Sequence, residues 1–230
     1  MKNIKKVLPI FLVLILIFVG GCTNNSDDIE NGNETVMFHD KEFPAVISEN
    51  VKITKAFVYN GEFPEDGSFD VKKDVFALKV LNSSDKDIQL VRIYVVTDQK
   101  ECLFEITTLP SQKTVTVLEK NAQTIYENEK ILEIREENKV LFANKLSLNA
   151  DKFSITPLDK VINIKNISTS DISSDVYVYF KRIDADGDYF GGITFRSNAG
   201  ELKAGEFKQI PATHLIKENS EVLFVDYAKP

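Results

Sequence analysis

Short apolar runs separated by polar turns make up most of the chain after residue 50. The runs are rich in β-branched and aromatic residues, which is typical of strands. Turn-forming sequences separate them, for example Pro-Glu-Asp-Gly at 64–67 and Asp-Gly at 186–187. We predict strands at residues 51–59, 75–81, 89–97, 102–108, 114–118, 131–135, 139–143, 153–155, 160–165, 176–183, 192–196, 207–212 and 222–227. The pattern predicts an all-β fold.

Helical periodicity is nearly absent. We predict one or two helical turns between Leu118 and Glu129, and no long amphipathic helix elsewhere. An α/β enzyme fold or a two-lobed solute-binding fold needs such helices, so both are disfavoured.

A strand–turn–strand pattern occurs twice. Asn82-Ser83-Ser84, three further residues and Ile88 lead into one apolar strand, and Asn166-Ile167-Ser168 with Ile172 leads into another. We expect each asparagine to cap its turn by bonding to nearby backbone. Internal duplication and convergent turn chemistry both explain the likeness. We divide the folded part into two β-sandwich modules, residues 45–149 and 150–230.

The N-terminus has the order of a secretory signal: lysines at 2, 5 and 6, an apolar run at 7–19, then Gly20, Gly21 and Cys22. Residues Val19-Gly20-Gly21-Cys22 resemble the lipobox of bacterial lipoproteins. The resemblance implies a signal peptide at 1–21, and a diacylglyceryl (palmitate-type) thioether on Cys22 that holds the chain on the membrane. Cleavage elsewhere, which would leave a free protein, and an uncleaved single-span anchor are the alternatives.

The segment after Cys22 is polar. Residues 22–44 hold few apolar side chains, so we predict a flexible tether between the lipid and the folded modules. Loss of the signal peptide would change the net charge from −7 to about −10. Acidity on this scale disfavours nucleic acid as a partner. Cys102 would then be the only cysteine with a free thiol, which leaves no intramolecular disulfide.

The whole layout resembles small extracytoplasmic lipoproteins of Firmicutes that carry immunoglobulin-like modules. The resemblance rests on residues 104–110, 117–120 and 189–195. It implies an immunoglobulin-like fold and a place on the outer face of the cell membrane, but no reaction. Abundant Lys, Ile and Asn also favour a Gram-positive host.

Two segments near residue 190 are candidate sites. Asp184, Asp186 and Asp188 alternate as in a calcium loop, but the EF-hand pattern fails and a hairpin turn is favoured, so we assign no metal and expect no cofactor. Tyr189-Phe190-Gly191-Gly192 offers aromatics that could stack on a sugar or a partner, or else a tight corner whose aromatics fill the core.

The remaining residues suggest no catalytic constellation. His39 and His214 are far apart and have no metal-ligand spacing, and Cys102 begins an apolar run as a core residue would. We therefore expect a non-enzymatic binding or structural module whose partner is a protein or a wall polymer. The alternatives are a cell-wall hydrolase whose carboxylates meet only in the fold, and a substrate-binding lipoprotein of a transporter.

Overall fold

Thirteen strands and one 3₁₀ helix form the part of the chain that the computed structural model describes, residue 43 and residues 45–227. The predicted signal peptide, Cys22 and nearly all of the predicted tether lie outside these residues. The elements are β1 (Ala45–Ser48), β2 (Val51–Glu62), β3 (Val71–Asn82), β4 (Ile88–Thr97), β5 (Glu101–Leu109), β6 (Thr114–Leu118), β7 (Ile131–Leu141), β8 (Phe153–Leu158), β9 (Val161–Asn166), β10 (Ile172–Ile183), β11 (Tyr189–Leu202), β12 (Phe207–Pro211), the 3₁₀ helix (Lys217–Asn219) and β13 (Ser220–Tyr227).

The all-β sandwich prediction is confirmed. One seven-stranded sheet has the order β1-β2-β3-β6-β11-β10-β13, and two three-stranded sheets have the orders β5-β4-β7 and β12-β9-β8. The described residues contain no helix long and apolar enough to cross a membrane.

Strands β2–β7 and β8–β13 repeat one pairing scheme. In the first set, β3 pairs with β2 and β6, and β4 pairs with β5 and β7. In the second set, β9 pairs with β8 and β12, and β10 pairs with β11 and β13. Corresponding strands therefore follow in the same order along the chain. The predicted boundary at 149–150 lies in the segment between β7 and β8.

Each set of six strands has its own core. The first core is built around Phe76, Ile93 and Phe104, and the second around Ile164, Val178 and Phe180. The alternation of buried and exposed positions along the strands directs one face of each strand into these cores.

The seven-stranded sheet is shared by both sets. Its first half, β1-β2-β3-β6, meets its second half, β11-β10-β13, at a short parallel pairing that joins Tyr189 to Val115 and Phe190 to Thr116. Tyr189 lies in the first core. Phe190 faces the other side, in a third cluster around Phe57 and Leu118.

The two small sheets cover opposite faces of the shared sheet. Phe190 pairs with Arg182, and Phe180 lies two residues before Arg182, on the same face. Phe180 lies in the second core, to which sheet β12-β9-β8 contributes. Phe190 lies on the face of the shared sheet that sheet β5-β4-β7 does not cover. Sheet β12-β9-β8 therefore packs on the face opposite to the one that β5-β4-β7 covers. In each half of the shared sheet, one face is covered by a three-stranded sheet and the other face is open.

Asn82 and Asn166 cap equivalent turns, as the sequence predicts. The Asn82 amide donates to the carbonyl oxygens of Lys86 (2.8 Å) and Leu109 (3.0 Å), and its Oδ1 accepts from the Ser84 hydroxyl at 2.7 Å. In the second turn, Asn166 donates to Ser170 (2.9 Å) and Leu202 (3.1 Å) and accepts from the Ser168 hydroxyl at 2.7 Å. Both asparagines are fully buried.

An aspartate completes each turn. Asp87 accepts from the backbone N–H of Ser111 at 2.8 Å, and Asp171 accepts from that of Ala204 at 2.7 Å. The shared pattern is therefore Asn-x-Ser-x-x-Asp. The turn predicted from the sequence included its Asn and Ser but not its Asp.

The predicted helix at 118–129 is wrong. Buried Glu119 accepts the backbone N–H groups of Asn121 and Gln123, both at 2.8 Å, and that of Leu103 in β5 at 3.2 Å. These side-chain bonds replace the backbone bonds that a helix would make. Ala122 also has a positive φ of 56°, which ends helical continuation.

Candidate functional site

A wide bulge in β11 sets the geometry between the two halves of the molecule. Phe195 pairs with Phe180 and Phe190 pairs with Arg182, so residues 191–194 of β11 face a single residue of β10, Lys181. Such a bulge bends a strand away from its regular register.

The paired glycines permit this bend. Gly191 has φ +85°, and a Cβ there would overlap the ring of Pro64. A Cβ on Gly192 would overlap the carbonyl oxygen of Glu105 in β5. Close backbone approach therefore explains both residues, as the corner interpretation of the sequence expects.

A buried charge pair anchors the bulge. The Glu65 carboxylate accepts the backbone N–H groups of Leu118 (2.9 Å) and Gly192 (2.9 Å). Lys181 Nζ donates to the carbonyl oxygens of Thr107 (3.0 Å), Gly192 (2.8 Å) and Ile193 (2.9 Å). Both side chains thus bind backbone from the two sets of strands and hold them together.

Burial acts in opposite directions on the two groups. It raises the pKa of Glu65 above its usual range and lowers the pKa of Lys181 to about 7. Since the hydrogen bonds of both groups go mainly to backbone, we interpret the pair as structural.

The aromatics before the glycines point inward. Tyr189 is buried in the first core and its hydroxyl donates to Glu221 at 3.0 Å. Phe190 is 8% exposed and packs in the third cluster. Their rings fill the interior, and Gly191 and Gly192 are buried beside them. Of these four candidate contact residues, Phe190 also lines a cavity, which is described below.

The aspartates at 184–188 form the predicted hairpin turn. Asp184 Oδ1 accepts the backbone N–H groups of Asp186 (2.9 Å) and Asp188 (3.0 Å). Lys79 Nζ bonds to the carboxylates of Asp186 (2.9 Å) and Asp188 (3.0 Å). An ammonium group therefore occupies the position between these two carboxylates that a cation would take. The described residues hold no cluster of three or more metal-ligating side chains.

A cavity of about 370 Å³ opens on the free face of the first half of the shared sheet. We call it the junction pocket, because both sets of strands line it. Its walls comprise Phe57 and Tyr59 of β2, Lys79 of β3, Thr116 of β6, Arg182 and Ile183 of β10, the turn residues Asp184, Ala185 and Asp186, Phe190 of β11, and Asn219.

Arg182 is the most confined charge in the junction pocket. One of its terminal nitrogens donates to Glu62 at 3.2 Å, and the guanidinium lies 4.9 Å from the centre of the Phe69 ring. Its Nε is buried and has no hydrogen-bond partner among the described residues. A buried donor without an acceptor is costly, and such positions often have a functional reason.

Two aspartates in the junction pocket differ in acidity. Burial raises the pKa of Asp184, whereas the hydrogen bond from Lys79 lowers the pKa of Asp186. Burial also raises the pKa of Tyr59 to about 12. Tyr59 therefore stays a neutral donor at physiological pH.

The fold thus brings together Phe190, Asp184 and Asp186 from the two predicted segments. Tyr59, Lys79 and Arg182 were not predicted, because they come from distant strands and have no local spacing. A second cavity, of about 350 Å³, lies between residues 142–149 and the end of β13 on the opposite open face.

The other candidates lie elsewhere. His214 packs against Phe195 with ring centres 4.6 Å apart and the rings tilted by 31°, and Cys102 is buried in the first core as predicted. His39 and Cys22 lie outside the described residues. No protein-family model matches the chain, and neither a curated protein nor a solved structure was found to resemble it.

Proposed function

We propose that this chain is a non-enzymatic, membrane-tethered lipoprotein that binds a cell-envelope polymer in the junction pocket. The observation that carries the proposal is the composition of this pocket, which combines three aromatic side chains with six charged or polar ones. Small-ligand sites combine aromatic and apolar side chains with convergent polar groups, and their volumes run from about 300 to 1,000 Å³.

The N-terminal sequence supports the location. A diacylglycerol on Cys22 would supply two acyl chains, which is what durable anchoring requires. Residues 23–42 would then separate the membrane from β1, so the junction pocket would face the extracytoplasmic space.

Retention on insoluble cell-wall material tests the proposal. Asn219 is exposed at the wall of the junction pocket, so Asn219→Trp should fill the pocket and abolish co-sedimentation of the full chain. Glu218→Trp is the matched control, because Glu218 is 82% exposed and does not line the pocket. Equal retention of both variants, or no retention of the wild type, would refute binding in the pocket.

A hydrolase is the second candidate function. The observation that favours it is the pair Asp184 and Asp186, whose pKa values shift in opposite directions within one cavity. Paired carboxylates of unequal acidity are the acid and base of glycoside hydrolysis. Against it, Asp184 Oδ1 is held by two backbone N–H groups and Asp186 by Lys79.

Release of reducing ends from wall polysaccharide decides between the two candidates. A hydrolase would release them, and Asp184→Asn would stop the release. The binding proposal predicts no release by the wild type under conditions in which the chain is retained on the wall material.

A further inference from the structure

Three of the four charged side chains that line the junction pocket, Lys79, Arg182 and Asp186, are held in ion pairs. Lys79 lies between two carboxylates, and Arg182 bonds to Glu62. A charged ligand would have to break one of these pairs or bring an unpaired charge into the pocket, which is costly where water is excluded.

Polar atoms with spare hydrogen-bonding capacity remain. Among the described residues, Asp184 Oδ2 accepts one long hydrogen bond, from the Thr116 hydroxyl at 3.4 Å, and so keeps acceptor capacity. Arg182 Nε has no partner among these residues, but it is buried and therefore not open to a ligand. Lys79 uses two of its three N–H groups in the ion pairs. The pocket thus offers both donors and acceptors, and the formal charges of its four charged lining residues cancel.

The wall opposite these groups is apolar. Tyr59 and Phe190 lie with ring centres 5.6 Å apart, and Phe57 belongs to the same cluster. A ligand that suits both walls needs hydroxyl groups on one side and C–H groups on the other. Hydroxyl groups donate and accept at once, so they match the mixed polar set.

We infer that the ligand of the junction pocket is a neutral saccharide. The inference rests on the proposed function and names the chemical class of its ligand. The pocket volume, near the lower end of the range for small-ligand sites, fits a short unit of a polymer that continues outside.

A single-tryptophan reporter tests the inference, since the natural chain has no tryptophan. Tyr59→Trp places the reporter in the pocket wall of the full chain. Tyr179→Trp is the control, because Tyr179 stacks with Phe224 near the second cavity, on the opposite face of the shared sheet. The probes are three trisaccharides: N-acetylglucosamine trimer (neutral), glucosamine trimer (cationic) and galacturonic acid trimer (anionic).

We expect the neutral trimer to change Tyr59→Trp emission saturably and to leave Tyr179→Trp emission unchanged. Both charged trimers should bind at least ten-fold more weakly. Calorimetry of the wild type with the same three trimers gives the same ranking without the substitution.

Two results overturn the inference. A charged trimer that binds as tightly as the neutral one shows that the ligand class is wrong, while binding in the pocket stands. Absence of binding by all three trimers also overturns the inference. The proposed function would still be supported in that case if wall material retains the wild type but not Asn219→Trp.

Discussion

Gly192 lies where three segments of the chain meet. Its N–H binds Glu65 of the β2–β3 loop, its carbonyl oxygen accepts from Lys181, and its Cα faces the backbone of Glu105 in β5. These contacts leave no room for a side chain.

We expect Gly192→Ala to destabilise the protein by at least about 3 kcal/mol, because the Cβ overlaps backbone that a side-chain rotation cannot relieve. Gly187→Ala is the matched control. Gly187 has a positive φ, +84°, which Gly192 does not have, but nothing lies within 4 Å of its Cβ position, so its replacement should cost only about 1 kcal/mol. Urea unfolding of both variants measures the difference, and equal losses would contradict the packing argument.

Lys181 should make stability depend on pH. Burial lowers its pKa from 10.5 to about 7 in the folded chain. Between these values the unfolded state binds more protons, so the free energy of unfolding rises with pH, by at most about 1.4 kcal/mol per pH unit. Burial raises the pKa of the Cys102 thiol from 9.0 to about 12. Above about pH 9 the folded state therefore keeps this proton while the unfolded state loses it, so the free energy of unfolding falls with pH there.

The measurement is therefore the free energy of unfolding between pH 7 and pH 8.5. Lys181→Met removes the titrating group and should lose the rise. A wild-type free energy that stays flat or falls across this window would show that the ammonium keeps its ordinary pKa in the folded chain.

At the scale of the element, the strand pattern was largely predictable. Apolar alternation identified β2–β6 and β8–β13 with bounds within about four residues, except for β11, where the predicted 192–196 covers only part of Tyr189–Leu202. Strand β1 was missed because Ala45–Ser48 is short and Val46 is exposed. The sequence predicted two strands where β7 is one, because the charged residues 135–139 interrupt its apolar pattern.

The predicted helix failed because of one side chain, Glu119, whose tertiary role no local pattern reveals. The junction pocket was predictable only in part for the same reason. Asp184, Asp186 and Phe190 belong to conspicuous segments, whereas Tyr59 and Arg182 acquire a role only when strands pair. Lys181 did leave a signal, since it interrupts the apolar run of β10.

Because the turn occurs twice, the effect of the same substitution on stability can be compared between the two halves. We expect Asn82→Asp and Asn166→Asp each to cost about 2 kcal/mol or more, because the carboxylate cannot donate to the buried carbonyl oxygens. The losses should add in the double variant, since the two turns belong to different cores.

Asn198→Asp is the control for this pair. Asn198 is exposed and accepts from the Gly200 N–H at 2.6 Å, a role that aspartate keeps. Its replacement should change the free energy of unfolding by less than about 0.5 kcal/mol. A large loss in only one of the two turns would show that they are not energetically equivalent.

At the scale of the molecule, two sandwiches share one continuous sheet. The parallel pairing of β6 with β11 connects them, as do the hydrogen bonds that Glu65 and Lys181 each make to backbone of both sets of strands. The junction pocket exists only because of this arrangement, since its walls come from both sets of strands.

The proposed anchor precedes the described strands in the sequence. Cys22→Ala should move the protein from the membrane fraction to the soluble fraction of cells without changing its thermal unfolding, because all the described strands lie between Ala45 and Tyr227. Cys102→Ala is the control for loss of a thiol and should leave the protein in the membrane fraction. A Cys22→Ala protein that stays with the membrane would contradict lipid anchoring at this residue.

The twin Asn-x-Ser-x-x-Asp turns also have an evolutionary consequence. Their buried side chains satisfy backbone carbonyl and amide groups that most replacements would leave unpaired, so we expect these positions to diverge more slowly than the strands around them. Outside these turns, the two halves of this chain have little amino-acid sequence in common, although their strands follow in the same order. We therefore expect distant relatives of this chain to keep the six-residue pattern twice, about one sandwich length apart. The pattern should identify them even where the rest of their sequence has diverged.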